Sequence, residues 1–170
     1  MKIVQKKICL LGDFAVGKTS LVRRFVEDRF DDKYLSTIGV KISRKTLMQQ
    51  DTKLNLLVWD LVGGNQFSRA ETGYLLGTAG ALIVCDLTRP DTLEPMRRYT
   101  SQMRAVNPNV ALILLGNKVD LTESRAIDED MITAVSTELN APFHFTSAKT
   151  GKNVEVAFSH LADLIEGENT

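Results

Sequence analysis

A glycine-rich segment at residues 12–19 constrains this chain more than any other part of it. It matches the pattern G-x-x-x-x-G-K-S/T, in which the backbone N–H groups of a tight loop and of a helix N-terminus bind phosphate. A short apolar run precedes the segment, and apolar residues at helical spacing follow it. The sequence therefore predicts a phosphate-binding loop that joins a buried strand to a helix.

Within this loop, several residue types have an expected role toward a bound phosphate chain. Gly12 and Gly17 allow the backbone to fold back with its N–H groups facing inward, which makes an anion-binding nest. Lys18 is expected to reach the outer phosphates, and Thr19 is expected to bind a magnesium ion. The predicted nucleotide-binding residues of this segment are Gly12, Asp13, Phe14, Ala15, Val16, Gly17, Lys18, Thr19 and Ser20.

The bulk composition is that of an ordinary globular protein. The chain has 170 residues, which favours one domain over residues 1–170, and its 21 basic and 21 acidic residues cancel. This balance argues against a nucleic-acid partner or a membrane surface bound mainly through charge. Cys9 and Cys85 lie in apolar runs and are expected to be buried thiols in a reducing compartment. The sequence has no signal peptide and no long apolar run, which predicts a cytoplasmic protein.

Strand-like and helix-like segments alternate, which predicts an α/β fold with a mostly parallel sheet and helices on both faces. The second and third strands are joined by a short turn near residue 50, so they must pair antiparallel, and one of them is an edge strand. Six strands are expected, near residues 3–11, 40–48, 54–59, 81–85, 110–115 and 142–145. Helices are expected near 17–26 and 67–76, after a cap at Asp91 or Thr92, from a cap at Asp128 to about 139, and from 154 to the end.

Polar segments follow several of these strands. Because open α/β sheets bind ligands beyond the carboxyl ends of their strands, we expect the segments to converge on one site. Asp60 ends an apolar strand, which is the position of the acidic residue that holds magnesium in phosphate-loop proteins. The alternative for Asp60 is a turn or helix-capping aspartate. The polar segments are 12–19, 30–37, 60–64, 117–120 and 146–149.

The segment at 117–120, with the sequence N-K-V-D, predicts which base is bound. The Asp120 carboxylate can accept hydrogen bonds from two neighbouring N–H groups of guanine, a pair that adenine lacks. Asn117 is expected to bond the other edge of the base and to tie this segment to the phosphate loop, while the stem of Lys118 covers one face of the ring. A later segment is expected to add a backbone N–H to the guanine oxygen and a second lysine stem: Ser147, Ala148 and Lys149.

Taken in order, these motifs resemble those of the Ras superfamily of small GTPases, and the resemblance covers essentially the whole chain. The segments at 36–40, 59–60 and 74–80 resemble the Rab branch most closely, whereas the phosphate loop has some Rho character. The resemblance implies a phosphate-loop small G domain that binds GTP or GDP with Mg²⁺ and hydrolyses GTP. It also implies two switch loops, at about 27–39 and 60–74, that order in the triphosphate state and contact effectors, exchange factors and activating proteins.

The resemblance assigns roles to further residues of the switch loops. Thr37 would coordinate magnesium and, together with the backbone N–H of Gly63, sense the γ-phosphate. Phe30 would stack on guanine and Tyr34 would cover the phosphates; the alternative for each is an ordinary loop aromatic. The implied metal ligands are Thr19, Thr37 and Asp60.

The chain departs from the family pattern at two positions where hydrolysis takes place. Gly64 replaces the glutamine that orients the attacking water. The alternative is that Gln66, two residues further on, takes over this role, although its position in sequence does not guarantee the geometry. Phe14 replaces a small residue beside the γ-phosphate, so its ring would crowd both the water and an incoming arginine finger. An assisting arginine contributes about 10³–10⁵ in rate, so we predict slow hydrolysis unless a partner supplies the missing group. The implied catalytic residues are Lys18, Thr37, Gly63 and Gly64.

Further residues concern protein partners, structure and membrane attachment rather than GTP hydrolysis. Ile42, Trp59 and Tyr74 occupy positions where Rab proteins carry an apolar patch for effectors, although Trp59 fits a core position equally well. His144 and His160 are not paired with a nucleophile or with a carboxylate at metal-ligand spacing, and we interpret both as structural. The chain ends without a prenylation box, and three alternatives stay open: it acts in solution, a tail was removed, or a partner carries it to a membrane. In this chain itself we expect no direct membrane anchor, and we expect a monomer.

Two alternative functions remain open at the level of the sequence. Phe14 and Gly64 also fit a GTP-binding scaffold without meaningful turnover. A nucleotide or small-molecule kinase would use the same phosphate loop, but it requires an arginine-rich lid that we do not find, and it leaves 117–120 without a role.

Overall fold

A computed structural model describes residues 1–31, 39–61, 63 and 72–167. Within these residues there are six strands: β1 (Lys2–Gly12), β2 (Val40–Gln49), β3 (Thr52–Leu61), β4 (Thr78–Asp86), β5 (Ala111–Asn117) and β6 (Phe143–Thr146). They form one sheet in the order β2-β3-β1-β4-β5-β6. β2 pairs antiparallel with β3, and the other pairings are parallel. The predicted six-stranded, mostly parallel sheet with one antiparallel edge strand is confirmed.

The described residues form four α-helices: α1 (Lys18–Glu27), α2 (Glu94–Val106), α3 (Glu129–Leu139) and α4 (Val154–Gly167). They cover both faces of the sheet. Successive residues of a strand point to opposite faces, so one strand contributes side chains to both apolar cores. In β1, Ile8 and Leu10 join the apolar core under α1 and α4, whereas Cys9 and Leu11 join the core under α2 and α3. The predicted placement of helices on both faces is confirmed.

Helix α4 anchors the helix that follows the phosphate loop. Phe158 of α4 stacks on Phe25 of α1, with ring centroids 3.8 Å apart and planes 7° from parallel. A continuous buried stripe runs along α4, at the spacing that the sequence predicted. Its residues are Val154, Ala157, Phe158, Leu161, Ala162 and Ile165. The phosphate-loop helix is therefore held by apolar packing on the side away from the loop.

The start of α2 differs from the prediction. Neither Asp91 nor Thr92 caps the helix, because Pro90–Thr92 forms a 3₁₀ turn and α2 begins after it without a side-chain cap. The Thr92 hydroxyl instead accepts a hydrogen bond from the backbone N–H of Asp86 at 3.0 Å and donates to the carbonyl oxygen of Arg89 at 2.7 Å. The Thr92 hydroxyl therefore closes the turn after β4 and is not available to cap the helix.

Two other sequence expectations about helices have different outcomes. The cap at Asp128 is confirmed, since its side chain accepts a hydrogen bond from the backbone N–H of Met131 at 2.9 Å. The predicted helix at 67–76 lies mostly outside the described residues, and its described end is a 3₁₀ turn at Gly73–Leu75.

Both cysteines are buried thiols, as predicted. Burial raises the pKa of Cys9, and it raises the pKa of Cys85 to about 12. Neither thiol is therefore a reactive thiolate near neutral pH. Among the helices of the described residues, none is long and apolar enough to cross a membrane.

Candidate nucleotide-binding site

The carboxyl ends of the parallel strands meet at one edge of the sheet. There β1 leads into the phosphate loop, β3 ends just after Asp60, β5 ends at Asn117 and β6 ends at Thr146. Because β1 lies between β3 and β4, this edge includes a topological switch point, where open α/β sheets bind ligands. The sheet thus brings the phosphate loop, Asp60 and the segments at 117–120 and 146–149 to one place.

The backbone of the phosphate loop has the conformation that an anion-binding nest needs. Ala15 has a φ of 57° and Gly17 a φ of 102°, and left-handed residues in such a turn direct neighbouring N–H groups to one side. A Cβ atom at Gly17 would lie 2.3 Å from Asn117 Nδ2, so only glycine fits there. The loop leads into the N-terminus of α1, where the helix dipole favours negative charge.

Lys18 provides the positive charge of this loop. Its side chain is 6% exposed, and its Nζ donates hydrogen bonds of 3.0 Å to the carbonyl oxygens of Gly12 and Asp13. Burial lowers the pKa of Lys18 from 10.5 to about 8, although the Asp60 and Asp13 carboxylates oppose this shift. Burial destabilises the charged form of Lys18, and a bound anion would stabilise that charged form strongly. Lys18 is therefore suited to bind phosphate oxygens.

Thr19 and Asp60 bring two oxygen ligands together. Asp60 is 1% exposed, and its Oδ2 accepts a hydrogen bond of 2.5 Å from the Thr19 hydroxyl. Hydroxyl and carboxylate oxygens suit magnesium, which usually takes few protein ligands and completes its shell with water and substrate phosphates. The pair therefore fits a magnesium ion. The third predicted ligand, Thr37, lies outside the described residues.

Gly63 lies directly against the phosphate loop. A Cβ atom built on Gly63 would be 2.6 Å from the carbonyl oxygen of Gly12, 2.7 Å from that of Asp13 and 2.7 Å from Lys18 Nζ. A side chain at this position would displace the lysine. Its backbone is therefore close to the phosphate-binding groups, as a γ-phosphate sensor requires.

Asn117 joins the segment at 117–120 to the phosphate loop. Its Nδ2 donates a hydrogen bond of 2.9 Å to the carbonyl oxygen of Val16, and its Oδ1 accepts one of 3.1 Å from the Thr146 hydroxyl. Asn117 is 1% exposed, so these bonds are shielded from water. The tie that the sequence analysis expected between the two segments is present in the structure.

The acceptor proposed for guanine is held from the neighbouring loop. Asp120 Oδ1 accepts a hydrogen bond of 2.7 Å from the hydroxyl of Ser147, and the backbone N–H of Val119 donates to the carbonyl oxygen of Thr146 at 3.1 Å. Ala148 is buried, while Lys149 is exposed. The segments at 117–120 and 146–149 thus form one hydrogen-bonded unit.

Arg24 of α1 supports this unit, although sequence reasoning missed it. Its Nε donates to the carbonyl oxygen of Ala148 at 2.9 Å, and its Nη2 donates to that of Lys149 at 2.5 Å. The partners are more than a hundred residues apart in sequence, and an arginine in a helix carries no local signal of such a contact. Arg24 connects the helix at the phosphate loop to the segment at 146–149.

The predicted aromatic residues are only partly described. Phe14 is 53% exposed at the phosphate loop, and Phe30 is half-buried against the core under α1 and α4. Tyr34 and Gly64 lie outside the described residues, so their roles remain predictions.

The three residues of the predicted effector patch lie close together. Ile42 of β2 is directly opposite Trp59 of β3 and is 49% exposed, while the Trp59 and Tyr74 rings are half-buried with centroids 6.4 Å apart. Lys7 Nζ lies 3.7 Å from the Trp59 ring centroid and donates to the carbonyl oxygen of Tyr74 at 2.5 Å. Trp59 and Tyr74 therefore combine core packing with a partly accessible surface.

His144 and His160, far from the phosphate loop in sequence, contact each other. Nε2 of His144 lies 2.8 Å from Nδ1 of His160, which links β6 to α4. Burial lowers the pKa of His144, and the neighbouring His160 lowers it further. The contact fits the structural interpretation of both residues.

The fold and the site together define a phosphate-loop nucleotide-binding domain with a doubly wound α/β sheet. Four features support this class: the strand–loop–helix unit, the buried Lys18, the Thr19–Asp60 pair and the hydrogen bond from Asn117 to the phosphate loop.

Comparison with known proteins places the chain within this class. A sequence model of the Ras family matches residues 7–167. The Ras-related protein Rab-1C of Dictyostelium discoideum is 37% identical over 161 residues, which cover 94% of this chain and 80% of that protein. RABD2a of Arabidopsis thaliana is 37% identical, with 94% and 79% covered, and Rab-22A of Mus musculus is 35% identical, with 97% and 86% covered. The chain belongs to the Ras family and, within the superfamily, to the Rab branch.

Family membership establishes the general properties of the chain. Ras and Rab proteins are small GTPases that bind GTP or GDP with Mg²⁺, act as switches, and contact regulators and effectors. The predicted class and cofactors are thereby confirmed.

Proposed function

We propose that this protein is a GTP/GDP switch with slow intrinsic hydrolysis, and that the residues described above form its nucleotide site. The observation that carries the proposal is the buried hydrogen bond from Asn117 to the carbonyl oxygen of Val16, at 2.9 Å. It joins the loop suited to a guanine base to the loop suited to phosphates, so one nucleotide can occupy both.

At the base end, Asp120 accepts the two neighbouring N–H groups of guanine. The Asp120 carboxylate is oriented by Ser147, whose hydroxyl donates a hydrogen bond to Oδ1 at 2.7 Å. Adenine offers this carboxylate no pair of N–H donors, and a site whose polar groups lose their partners on the ligand discriminates by about 10⁴ or more. The stems of Lys118 and Lys149 cover the two faces of the ring.

At the phosphate end, the chain supplies charge and orientation. The N–H groups of the nest and the Lys18 ammonium group neutralise the phosphate oxygens as charge develops on them. Thr19, Thr37 and Asp60 would hold magnesium, which supplies charge neutralisation at the β- and γ-phosphates when it is bound. Water would attack the γ-phosphate in line, and the backbone N–H of Gly63 would sense that phosphate.

Slow hydrolysis is expected from two residues, Gly64 and Phe14. Gly64 cannot orient the attacking water as glutamine does, and the Phe14 ring would limit access to the γ-phosphate. Without an assisting arginine such enzymes turn over at roughly 10⁻⁴ s⁻¹. An activating protein that supplies the missing group would restore faster hydrolysis.

The switch loops at about 27–39 and 60–74 would present the nucleotide state to effectors, exchange factors and activators. The partly accessible patch of Ile42, Trp59 and Tyr74 supports an apolar effector surface next to them. We propose that the protein is a cytoplasmic monomer when not bound to a partner.

A GTP-binding scaffold without turnover is the second candidate. The position of Phe14, half-exposed at the phosphate loop, favours it because a partner could bind this ring while hydrolysis is blocked. Single-turnover release of phosphate from bound GTP separates the two candidates. A rate above that of GTP in buffer supports the switch, whereas a rate equal to buffer supports the scaffold. Displacement of bound GDP by ATP as effectively as by GTP would contradict both.

A further inference from the structure

Arg89 makes a contact with the phosphate loop that the proposed function does not use. It lies in the turn after β4, and its side chain is 35% exposed. Its Nη2 donates a hydrogen bond of 2.5 Å to the carbonyl oxygen of Phe14, while its Nε donates one of 3.0 Å to Asp86 Oδ2. One guanidinium group therefore bridges a buried carboxylate and the backbone of the phosphate loop.

Asp86 makes this bridge rigid. Its side chain is 1% exposed, and it accepts hydrogen bonds from the backbone N–H and the hydroxyl of Thr88 at 2.9 and 2.7 Å. Burial works against ionisation, but the bonds from Thr88, Lys118 and Arg89 hold the pKa of Asp86 below its usual value. The carboxylate is thus a fixed anion that orients the guanidinium group of Arg89.

The geometry of the peptide bond gives the contact its consequence. A trans peptide unit is planar, with its C=O and N–H groups on opposite sides. When the Phe14 carbonyl points outward at Arg89, the N–H of Ala15 in the same unit points the other way. Ala15 is a non-glycine residue at a φ of 57°, a conformation that needs support from its surroundings.

We propose that Arg89 is a positioning residue for the nucleotide: by holding the Phe14 carbonyl outward, it keeps the Ala15 N–H directed at the phosphates and slows nucleotide release. The proposal rests on the nucleotide site proposed above. A hydrogen bond accepted by a carbonyl group also polarises the N–H of the same peptide unit, which strengthens its bond to an anion. Arg89 therefore acts on the ligand through the backbone and does not need to touch it.

The same anchor serves the base end of the site. Lys118 Nζ lies 2.9 Å from Asp86 Oδ2, the oxygen that also accepts from Arg89 Nε. One carboxylate thereby positions a lysine proposed to cover the base and an arginine that supports the phosphate loop. Lysine cannot replace arginine in this arrangement, because the two bonds need two donors in a fixed planar group.

The test is the release rate of N-methylanthraniloyl-GDP from the full chain with excess GDP as competitor. We compare the unmodified protein with Arg89→Ala and Arg89→Lys. Hydrogen bonds of charged groups imply that Arg89→Ala accelerates release about ten- to a hundredfold. Arg89→Lys is expected to accelerate release nearly as much, since it keeps the charge but loses the bridge.

Arg97→Ala is the matched control. Arg97 of α2 is 36% exposed and binds two carboxylates, that of Glu94 in the same helix at 2.8 Å and that of Glu138 in α3 at 2.6 Å. Its loss removes an equally exposed, charge-paired arginine without touching the phosphate loop. Release from Arg97→Ala is expected to match that of the unmodified protein.

A spectroscopic readout separates positioning from general stability. The amide ¹⁵N shift of Ala15 in the GDP-bound protein depends on the hydrogen bond accepted by the Phe14 carbonyl, so both Arg89 variants are expected to move it. Release at the unmodified rate by both variants, full rescue by lysine, or an unchanged Ala15 resonance would each overturn the proposal. Failure of the unmodified protein to bind the fluorescent GDP would instead overturn the proposed function.

Discussion

The base end and the phosphate end of the proposed site are held in different ways. At the base end, Asp120 is fixed by Ser147, and the loop behind it is fixed by Arg24. At the phosphate end, the binding groups bond to one another, since Lys18 donates to its own loop and the Thr19 hydroxyl donates to Asp60. A base adds bonds to a prepared surface, whereas phosphates and magnesium must exchange bonds that already exist.

This difference implies that the two ends of the site have different functions. A surface fixed by its neighbours can select one base, because a wrong base leaves polar groups unpaired. Lys18, Thr19 and Asp60 must exchange hydrogen-bond partners when a ligand binds. Binding at this end therefore depends on the charge of the ligand, the pH and the number of phosphates. The base end is therefore expected to set specificity, and the phosphate end to set the response of the switch.

The largest effect is expected at the base end. Asp120→Asn replaces the acceptor by an amide, which fits the extra carbonyl of xanthine, so the preference for guanine over xanthine should reverse by up to about 10⁴. Competition between GDP and xanthosine diphosphate measures this. The exposed Asp91→Asn is the control. A variant at 120 that still prefers guanine would show that the base is bound elsewhere.

The next effect is expected at the phosphate end. Gly64→Gln alone should leave hydrolysis slow if the Phe14 ring blocks the water, whereas the double variant with Phe14→Gly should gain about a hundredfold from orientation of the water. Single-turnover phosphate release checks both. An equal gain from Gly64→Gln alone would show that Phe14 leaves room for the water.

A smaller effect is expected from the support of the base end. Arg24→Ala removes the two hydrogen bonds that this charged group donates to the segment at 146–149, so GDP and GTP should both dissociate about tenfold faster. The effect should not depend on the number of phosphates, because the base is common to both nucleotides. Arg104→Ala, which removes a longer contact of 3.4 Å to the Asn140 carbonyl oxygen, is the control. A larger effect on GTP than on GDP would argue against separate ends.

The smallest effect on nucleotide binding is a pH dependence confined to the phosphate end. Because the pKa of Lys18 is lowered from 10.5 to about 8, the folded protein loses this proton as pH rises through 8. GDP affinity should fall about twofold from pH 7 to pH 8, and Lys18→Met should remove this slope. Titration of GDP binding at several pH values measures it, with Lys149→Met as the control that keeps the slope.

The same pKa predicts the opposite trend for stability without nucleotide. Between about pH 8 and 10.5 the unfolded chain retains a proton on Lys18 that the folded chain has released. Stability should therefore rise with pH there, by at most about 1.4 kcal/mol per unit. Urea unfolding of the unmodified protein and Lys18→Met compares the two slopes, and equal slopes would contradict the assignment.

The amino-acid sequence by itself determined the class of fold and predicted the chemistry of the site. Strand patterns that mostly alternate with helical patterns predicted the sheet, and the short turn near residue 50 required an antiparallel pair. The motifs at 12–19 and 117–120 were recognisable because a tight loop or a base-binding loop needs its residues at short, constant spacing. Such local patterns are visible without knowledge of the tertiary structure.

Only the tertiary structure decided how these motifs are held. Arg89 contacts the phosphate loop across 75 residues, and Arg24 contacts the base loops across 124 and 125 residues. The structure also decided that Thr92 closes a turn instead of capping a helix. Its hydroxyl accepts from the backbone N–H of Asp86, and the fold of the segment after β4 brings the two residues together. Long-range hydrogen bonds depend on which elements the sheet places side by side, and no local spacing records that neighbourhood.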